Sequence, residues 1–172
     1  MMLGWKELPY EVMHPGEFYY DLMKEGKIKI ARKIKEPVTL QDPCNIIRRA
    51  GDAAEKFRYI VNATCEDFRE MYPNRQHNFC CNAGGGLAAL SQWKKHKAKG
   101  NRVKMEQIKA TGAKICITPC HNCNRGITDV IECYDEIKHV KTMFFDELLV
   151  KTMEIPKKFW IGEEAPEPEA GH

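Results

Sequence analysis

The sequence predicts an α/β fold, in which a single layer of mostly parallel strands is flanked by helices. Three short apolar runs have the length and composition of strands: VTLQ at 38–41, KICIT at 114–118 and VKTMFF at 140–145. Segments with helical spacing lie between and after these runs, and such alternation favours parallel strands joined by right-handed crossovers. We expect an N-terminal arm and helix at 1–36, an α/β domain at 37–153, and a disordered, acidic and proline-rich tail at 154–172.

The first half of the chain contains two predicted helices and a further strand. The first helix covers about 14–25, and its apolar face consists of Phe18, Tyr19, Leu22 and Met23. The second follows Asp52 and Glu55, a D-x-x-E start signal that resembles a capping box. Its apolar stripe consists of Ala53, Ala54, Phe57, Ile60 and Val61. A short strand is predicted near 68–72, before a Pro-Asn turn.

The second half of the chain alternates helices with the remaining strands. We expect a helix after Gly86 that is interrupted at Gly100 and resumes over 101–111. Another helix follows Cys120, because apolar residues recur on one of its faces and acidic residues on the opposite one. After the last strand, Asp146 is predicted to cap a short helix.

Composition narrows the possible classes of function. The chain has 172 residues, 43% hydrophobic and 30% charged, which is typical of a globular domain. Its net charge is only +3, and no run of lysine or arginine is interleaved with aromatic residues, so nucleic-acid binding is not expected. The N-terminal residues MMLGWKELPYEVMHPG contain no apolar stretch of signal-peptide or membrane-spanning length. We therefore expect a cytoplasmic protein without a direct membrane span, associated with membranes only through partner subunits.

Five of the eight cysteines form one pattern, in which a single cysteine is followed by a Cys-Cys pair and a C-x-x-C motif. They are Cys44, Cys80, Cys81, Cys120 and Cys123. Adjacent cysteines point apart and cannot easily share one disulfide, whereas they can reach different metal atoms of one cluster. C-x-x-C brings two sulfurs to one side of a turn, a usual geometry for metal binding. C-x-x-C alone also describes a thioredoxin-like dithiol, but the three further cysteines favour a polynuclear metal site.

The chain topology predicts that these cysteines converge. Cys44 and Cys120 directly follow predicted strands, and loops at the carboxyl ends of parallel strands gather at one edge of a sheet. Cys120 and Cys123 also lie at a helix N-terminus, whose partial positive charge favours thiolates. The run at 82–86, NAGGG, allows backbone to approach inorganic sulfur, although a flexible loop is the alternative.

The other metal-ligating or cationic residues have simpler interpretations. The remaining cysteines are expected to pack as small hydrophobic side chains; they are Cys65, Cys116 and Cys133. His77 and His121 flank the motif cysteines, and each is either a ligand or proton donor or, as we favour, a surface imidazole. A solvated helix face is predicted for Lys94, Lys95, Lys97 and Lys99.

Three segments carry a resemblance to a known family: VTLQDPCN, PNRQHNFCCNAGGGL and KMEQIKATGAKICITPCHNC. With their spacing, they resemble the CCG domain, the cysteine-rich repeat found in the catalytic subunits of heterodisulfide reductases. Related subunits occur in glycolate, lactate, succinate and anaerobic glycerol-phosphate oxidoreductases. CCNAGGG preceded by PNR is most similar to the heterodisulfide-reductase-like component of membrane redox complexes in sulfate-reducing organisms. The resemblance covers about 14–150 of the chain.

The resemblance implies a noncubane four-iron four-sulfur cluster held by Cys44, Cys80, Cys81, Cys120 and Cys123. It also implies that the cluster itself is the catalytic centre, where a disulfide is bound and cleaved by electrons delivered one at a time. Asn82 replaces the glycine of the family name, and Gln41 stands where relatives often carry histidine. Some repeats of the family bind zinc instead, so zinc is the alternative metal.

The resemblance implies an oxidoreductase module that acts on a disulfide or related sulfur substrate and works within a complex. Two alternatives remain: a non-catalytic electron-relay protein, and a structural zinc module that docks partners. Relatives usually carry two repeats or a ferredoxin-like segment, whereas this chain has one repeat and neither G-x-G-x-x-G nor C-x-x-C-H. We therefore expect electron-donating partner subunits with ferredoxin-like clusters, flavin or haem, and a disulfide-bearing small molecule or protein as substrate.

Overall fold

A computed structural model of the chain describes residues 9–155. Its centre is a three-stranded parallel sheet in the order β1-β2-β3, made of Val38–Leu40, Ile115–Thr118 and Lys141–Phe144. In the register, Thr39 lies opposite Cys116, and Cys116 lies opposite Thr142. The predicted α/β fold with parallel strands is therefore confirmed. The predicted tail lies outside the described residues from 156 onward.

Seven α-helices flank the sheet within the described residues. In chain order, α1 to α7 are Pro15–Lys24, Cys44–Ile47, Ala53–Thr64, Lys94–Lys99, Arg102–Thr111, His121–Cys133 and Phe145–Thr152. Short 3-10 turns cover Arg75–His77, Leu87–Ala89, Ser91–Trp93 and Asp135–Ile137. None of the helices in residues 9–155 combines the length and apolar composition needed to cross a membrane.

The strands pack into two separate cores because successive side chains of a strand point to opposite faces. Ile115 and Ile117 of β2 belong to a core formed with helices α3 and α7. Cys116, between them, belongs to a second core formed with α5 and α6. This second core contains Cys81 and Cys123, so two of the motif cysteines lie beneath the surface of the domain.

The two long N-terminal helices begin differently, although both were predicted. His14 caps α1 in a capping box: the Glu17 carboxylate accepts a hydrogen bond from the His14 N–H, and His14 Nδ1 accepts one from the Gly16 N–H. Helix α3 has the predicted apolar stripe, but the predicted capping box is wrong. The Asp52 carboxylate makes no capping hydrogen bond and instead pairs with Lys56, 3.1 Å away.

The predicted cap at Asp146 is also wrong. Helix α7 begins one residue earlier, at Phe145, so Asp146 lies in its first turn. There its carboxylate accepts a hydrogen bond from the hydroxyl of Tyr19 on α1. An acidic residue in this turn still suits the positive end of the helix, and the contact ties α1 to α7.

The strand predicted at 68–72 does not form. Phe68 makes only an isolated parallel bridge to Val38, supported by a 2.8 Å hydrogen bond from Arg69 N–H to Val38 O. Pro73 has no N–H to extend a ladder, and Glu70 turns towards Arg58 of α3. The chain therefore leaves the edge of β1 after one bridge and runs towards the Cys-Cys pair.

The segment between Gly86 and Gly100 is less helical than predicted. It contains two 3-10 turns, and only Lys94–Lys99 is α-helical. Gly85 and Gly86 have φ of 61° and 83°, in the left-handed region. The apolar side chains that follow are exposed, so no buried face stabilises a longer helix. They are Leu87, Leu90 and Trp93.

Candidate metal centre

The five motif cysteines form one continuous row of sulfur contacts. The Sγ atoms of Cys44 and Cys80 are 3.8 Å apart. The thiols of Cys80 and Cys81, of Cys81 and Cys123, and of Cys123 and Cys120 are close enough to shift one another's pKa. We call these five residues the sulfur row. Three loops that are distant in sequence therefore meet beyond the carboxyl ends of β1 and β2. The topology predicted this for Cys44 and Cys120, whereas the strand predicted before Cys80 and Cys81 does not form.

The sulfur row passes through the second core, with two buried members between less buried ones. Cys80 is exposed, and Cys44 and Cys120 are half-buried. Cys81 and Cys123 are only 4% and 3% exposed. Among residues 9–155, no group of three or more His, Cys, Asp or Glu side chains is arranged to hold a metal ion.

Hydrogen bonds favour thiolates at two positions of the row. The thiols of Cys123 and Cys80 lower the pKa of Cys81 to about 3, against the effect of burial, and the Ala83 N–H contributes as well. The Cys123 thiol, with the N–H groups of Cys123 and Asn122, lowers the pKa of Cys120 to about 6. These N–H groups lie at the beginning of α6, so the expected helix-terminus effect is present. The same contacts raise the pKa of Cys80 and Cys123, so these two positions favour thiols while Cys81 and Cys120 favour thiolates.

Asn82, which stands where the family name has glycine, lies in a left-handed backbone conformation. Its φ is 59°, a left-handed value that Asn tolerates better than other side chains. Its N–H donates to Cys80 Sγ at 3.3 Å, and its amide donates to Lys97 O at 3.1 Å. Asn82 is therefore compatible with this left-handed position and, unlike glycine, offers a side-chain hydrogen bond to α4.

The glycines after Asn82 face open space. A Cβ atom at Gly84, Gly85 or Gly86 would have no neighbour within 4 Å. The left-handed φ values explain glycine at Gly85 and Gly86, whereas close approach to inorganic sulfur stays a prediction.

Gly126 of α6, which sequence reasoning missed, is the glycine that the site cannot replace. A Cβ atom there would lie 2.7 Å from Cys81 O and 2.8 Å from Ala83 Cβ. Helix α6 therefore packs directly on the loop that carries Cys81. The signal was available, since glycine inside a predicted helix usually has a packing reason.

A buried ion pair holds the loop that carries Cys44. The carboxylate of Asp42 accepts hydrogen bonds from Arg58 Nη1 and Nη2 at 3.0 and 2.9 Å, and from Arg75 N–H at 2.6 Å. Asn78 donates to Asp42 O. Burial opposes the charge of Arg58, but its hydrogen bonds to Asp42 and Glu70 raise its pKa. The network joins the end of β1 to the segment that leads to Cys80.

Gln41, the residue in place of histidine, is completely buried at the end of β1. Its Nε2 donates to Asp42 O at 2.8 Å and to Phe79 O at 3.4 Å, next to Cys80. Its Oε1 has no hydrogen-bond partner within the described residues. Gln41 therefore links the two loops through its amide rather than through an imidazole.

The remaining cysteines and the two histidines lie outside the sulfur row. Cys65 and Cys116 are buried, and burial raises the pKa of Cys116 to about 12, whereas Cys133 is partly exposed. His77 is exposed in a 3-10 turn. His121 is exposed and stacks on Phe144, with ring centroids 5.8 Å apart.

A cavity of about 420 Å³ lies at the carboxyl end of β2, next to the turn that carries Cys120, although no cysteine of the row lines it. Pro119 and His121, the sequence neighbours of Cys120, contribute to its wall. The rest of the wall includes Tyr19, Phe144 and Asp146. This cavity offers space for a small organic group close to Cys120.

The lysines of α4 are not all solvated, contrary to the prediction. Lys97 Nζ lies 2.8 Å from an Asp129 carboxylate oxygen, and both side chains are less than 10% exposed. Lys94 also reaches Asp129, at 3.3 Å. These pairs fasten α4 to α6 beside the sulfur row, while Lys95 and Lys99 stay exposed.

Comparison with known proteins gives a family match over most of the core domain. The model of the CCG family, described as a cysteine-rich domain, matches residues 38–128. This range includes every residue of the sulfur row. No solved structure matches the chain significantly.

Several characterised proteins are similar to the chain. A dihydromethanophenazine:CoB–CoM heterodisulfide reductase subunit of Methanosarcina mazei is 36% identical over 129 residues, which are 74% of this chain and 31% of the relative. EtfAB:quinone oxidoreductase of Syntrophomonas wolfei is 27% identical over 151 residues, 84% of this chain and 21% of the relative. An Hdr-like menaquinol oxidoreductase iron-sulfur subunit of Archaeoglobus profundus is 32% identical over 116 residues, which are 63% of this chain and 20% of the relative. The chain thus spans between about a fifth and a third of the length of these relatives.

Proposed function

The chain belongs to the cysteine-rich CCG family, and from that premise we propose that it is a heterodisulfide-reductase-like iron–sulfur module that reduces a disulfide or a related sulfur substrate. The observation that carries the proposal is the sulfur row, which assembles five thiols from three separate loops. Soft thiolates are the ligands that iron–sulfur clusters require. Relatives named as a heterodisulfide reductase or as an iron–sulfur protein support this choice of chemistry.

The proposed cofactor is a noncubane four-iron four-sulfur cluster. Its ligands would be Cys44, Cys80, Cys81, Cys120 and Cys123. Two observations support a cluster over zinc. A structural zinc ion uses four ligands in a tetrahedron, whereas here five thiols from three loops come together. Backbone N–H groups are also directed at the sulfurs, as is common around anionic clusters.

The residues around the row would prepare the site in three ways. The hydrogen bonds that favour thiolates at Cys81 and Cys120 reduce the number of protons that these ligands must release when metal binds. The Asp42–Arg58 pair and Gly126 hold two of the cysteine loops in place. The cavity beside Cys120 would receive the organic part of the substrate.

When bound, the cluster supplies one-electron chemistry. The overall reaction we propose takes one disulfide, two electrons and two protons to two thiols, with cleavage of the S–S bond. The electrons would come from a partner redox protein with a ferredoxin-like cluster, flavin or haem. The purified chain should therefore show no disulfide reduction with NADH or NADPH, and robust turnover with either would contradict the need for a partner.

An electron relay is the second candidate function. Two of the relatives are named for quinone or menaquinol oxidoreduction and not for a sulfur substrate. In such a role the same cysteines would hold the cluster, but the cluster would only pass electrons onward.

Electron paramagnetic resonance distinguishes the two functions. The anaerobically reconstituted chain would be poised by chemical oxidation and mixed with a thiol or a disulfide of small size. A catalyst should show a new or shifted cluster spectrum when the sulfur compound binds. A spectrum that is identical with and without these compounds would support the relay and refute the catalytic proposal.

A further inference from the structure

Lys104 is a buried cation without an acidic partner. It lies on α5 and is only 1% exposed. Its Nζ contacts the sulfur atom of Met71 at 3.9 Å. In the part of the chain that the structure describes, no carboxylate forms an ion pair with it. Every other strongly buried basic side chain of the site has such a partner: Arg58 pairs with Asp42, and Lys97 with Asp129.

An unpaired ammonium in a protein core is unfavourable because burial removes its hydration. Desolvation accordingly lowers the pKa of Lys104. The groups that oppose this effect are, in order, Cys116, Cys123, Cys81 and Asp42. The Asp42 carboxylate is already neutralised by Arg58, and the pKa values of Cys116 and Cys123 are raised, so Cys81 is the sulfur of these three that is favoured as a thiolate counter-charge for Lys104.

The position of Lys104 places it behind the sulfur row. Its contact Met71 belongs to the same buried core as Cys81 and Cys123. The charge of Lys104 also contributes to the lowered pKa of Cys81. Since Cys80 is the exposed member of the row while Cys81 and Cys123 are buried, the buried Lys104 lies on the core side of the row.

We propose that Lys104 is the buried counter-charge of the metal cluster and raises its reduction potential. The inference rests on the proposed function, because it requires an anionic cluster at the sulfur row. Each electron that the cluster accepts adds one negative charge. A fixed ammonium in a low-dielectric core stabilises that charge more than an exposed lysine does. Lys104 thus acts through the cluster, as an electrostatic positioning residue.

The test compares three variants with the wild-type chain. Lys104→Met removes the charge but keeps a long apolar side chain beside Met71, and Lys104→Gln is a second neutral variant. Lys109→Met removes an exposed charge from the same helix and serves as the matched control. Each protein is reconstituted anaerobically, its iron and sulfide are measured, and its midpoint potential is determined by a redox titration followed by electron paramagnetic resonance.

The neutral Lys104 variants should titrate at a more negative potential than the wild type. The expected change is on the order of tenfold in the one-electron equilibrium constant, which corresponds to about 59 mV. Lys109→Met should leave the potential almost unchanged. Equal shifts in the control and the Lys104 variants, or no shift in any of them, would overturn the inference while leaving the cluster in place.

Two further results separate the possible failures. If the wild-type chain itself takes up no iron and sulfide, the proposed function fails, and the counter-charge fails with it. If neither Lys104→Met nor Lys104→Gln binds a cluster, the stability of the metal-free proteins is measured by unfolding instead. Metal-free Lys104→Met should be at least as stable as the wild type, since it loses an unpaired buried charge; a lower midpoint of unfolding would show a structural role and overturn the inference.

Discussion

Gly126→Ala should disrupt the metal centre although the substitution adds only one methyl group. The new Cβ would lie 2.7 Å from Cys81 O and 2.8 Å from Ala83 Cβ, contacts that neither group can relieve by rotating a side chain. Such overpacking costs about 3 kcal/mol when the backbone must move. The better helix propensity of alanine offsets about 1 kcal/mol of this. The free energy of unfolding should therefore fall by about 2 kcal/mol.

The displacement would also separate α6 from the loop that carries Cys81. Iron content should therefore fall by a larger fraction than the free energy of unfolding does. Urea unfolding of the metal-free protein measures the first effect, and iron per chain after anaerobic reconstitution measures the second. Arg125→Ala is the matched control, because Arg125 is the exposed neighbour on the same helix. If Gly126→Ala kept the iron content and stability of the control, the packing of α6 on this loop would be wrong.

Three more predictions test other parts of the site. Cys81→Ser should lower iron content sharply because a hydroxyl is a poor replacement for a soft thiolate. Cys133→Ala should keep the iron and lower the free energy of unfolding in urea by about 1 kcal/mol. The reverse pattern would refute the ligand assignment. Arg58→Met should lower the free energy of unfolding in urea by about 3 kcal/mol, because it leaves the Asp42 carboxylate buried without its ion pair. An unchanged urea midpoint would show that the ion pair contributes nothing to stability. Asn82→Gly should retain the iron and Asn82→Val should lose it, since of these two replacements only glycine accepts a φ of 59° without strain. Equal iron content in both variants would contradict this role for the left-handed backbone.

The parts of the fold that were predictable are those with a local physical signal. The strand at 115–118 is a short apolar run, and helix α6 has a periodic apolar face, so both were located to within a residue or two. The convergence of Cys44 and Cys120 followed from parallel topology alone. These features depend on the spacing of side chains along one element.

The features that were missed depend on contacts between elements. Whether Asp52 caps α3 or pairs with Lys56 is decided by the orientation of a side chain, which the D-x-x-E spacing does not contain. The run after Gly86 has enough helix-forming residues, but its apolar side chains find no surface to cover. Arg58 is a charged residue within an apolar stripe, and its partner Asp42 is 16 residues away. Lys104 likewise gains its importance from burial against sulfur that other segments supply.

The metal content of the anaerobically reconstituted chain tests the central claim most directly. Iron, acid-labile sulfide and zinc should be measured per chain for the wild type, after removal of unbound metal. A four-iron four-sulfur cluster predicts about four irons and about four sulfides per chain, with a broad visible absorption and little zinc. Stoichiometric zinc without iron or sulfide would contradict the account and leave a structural module that docks partners.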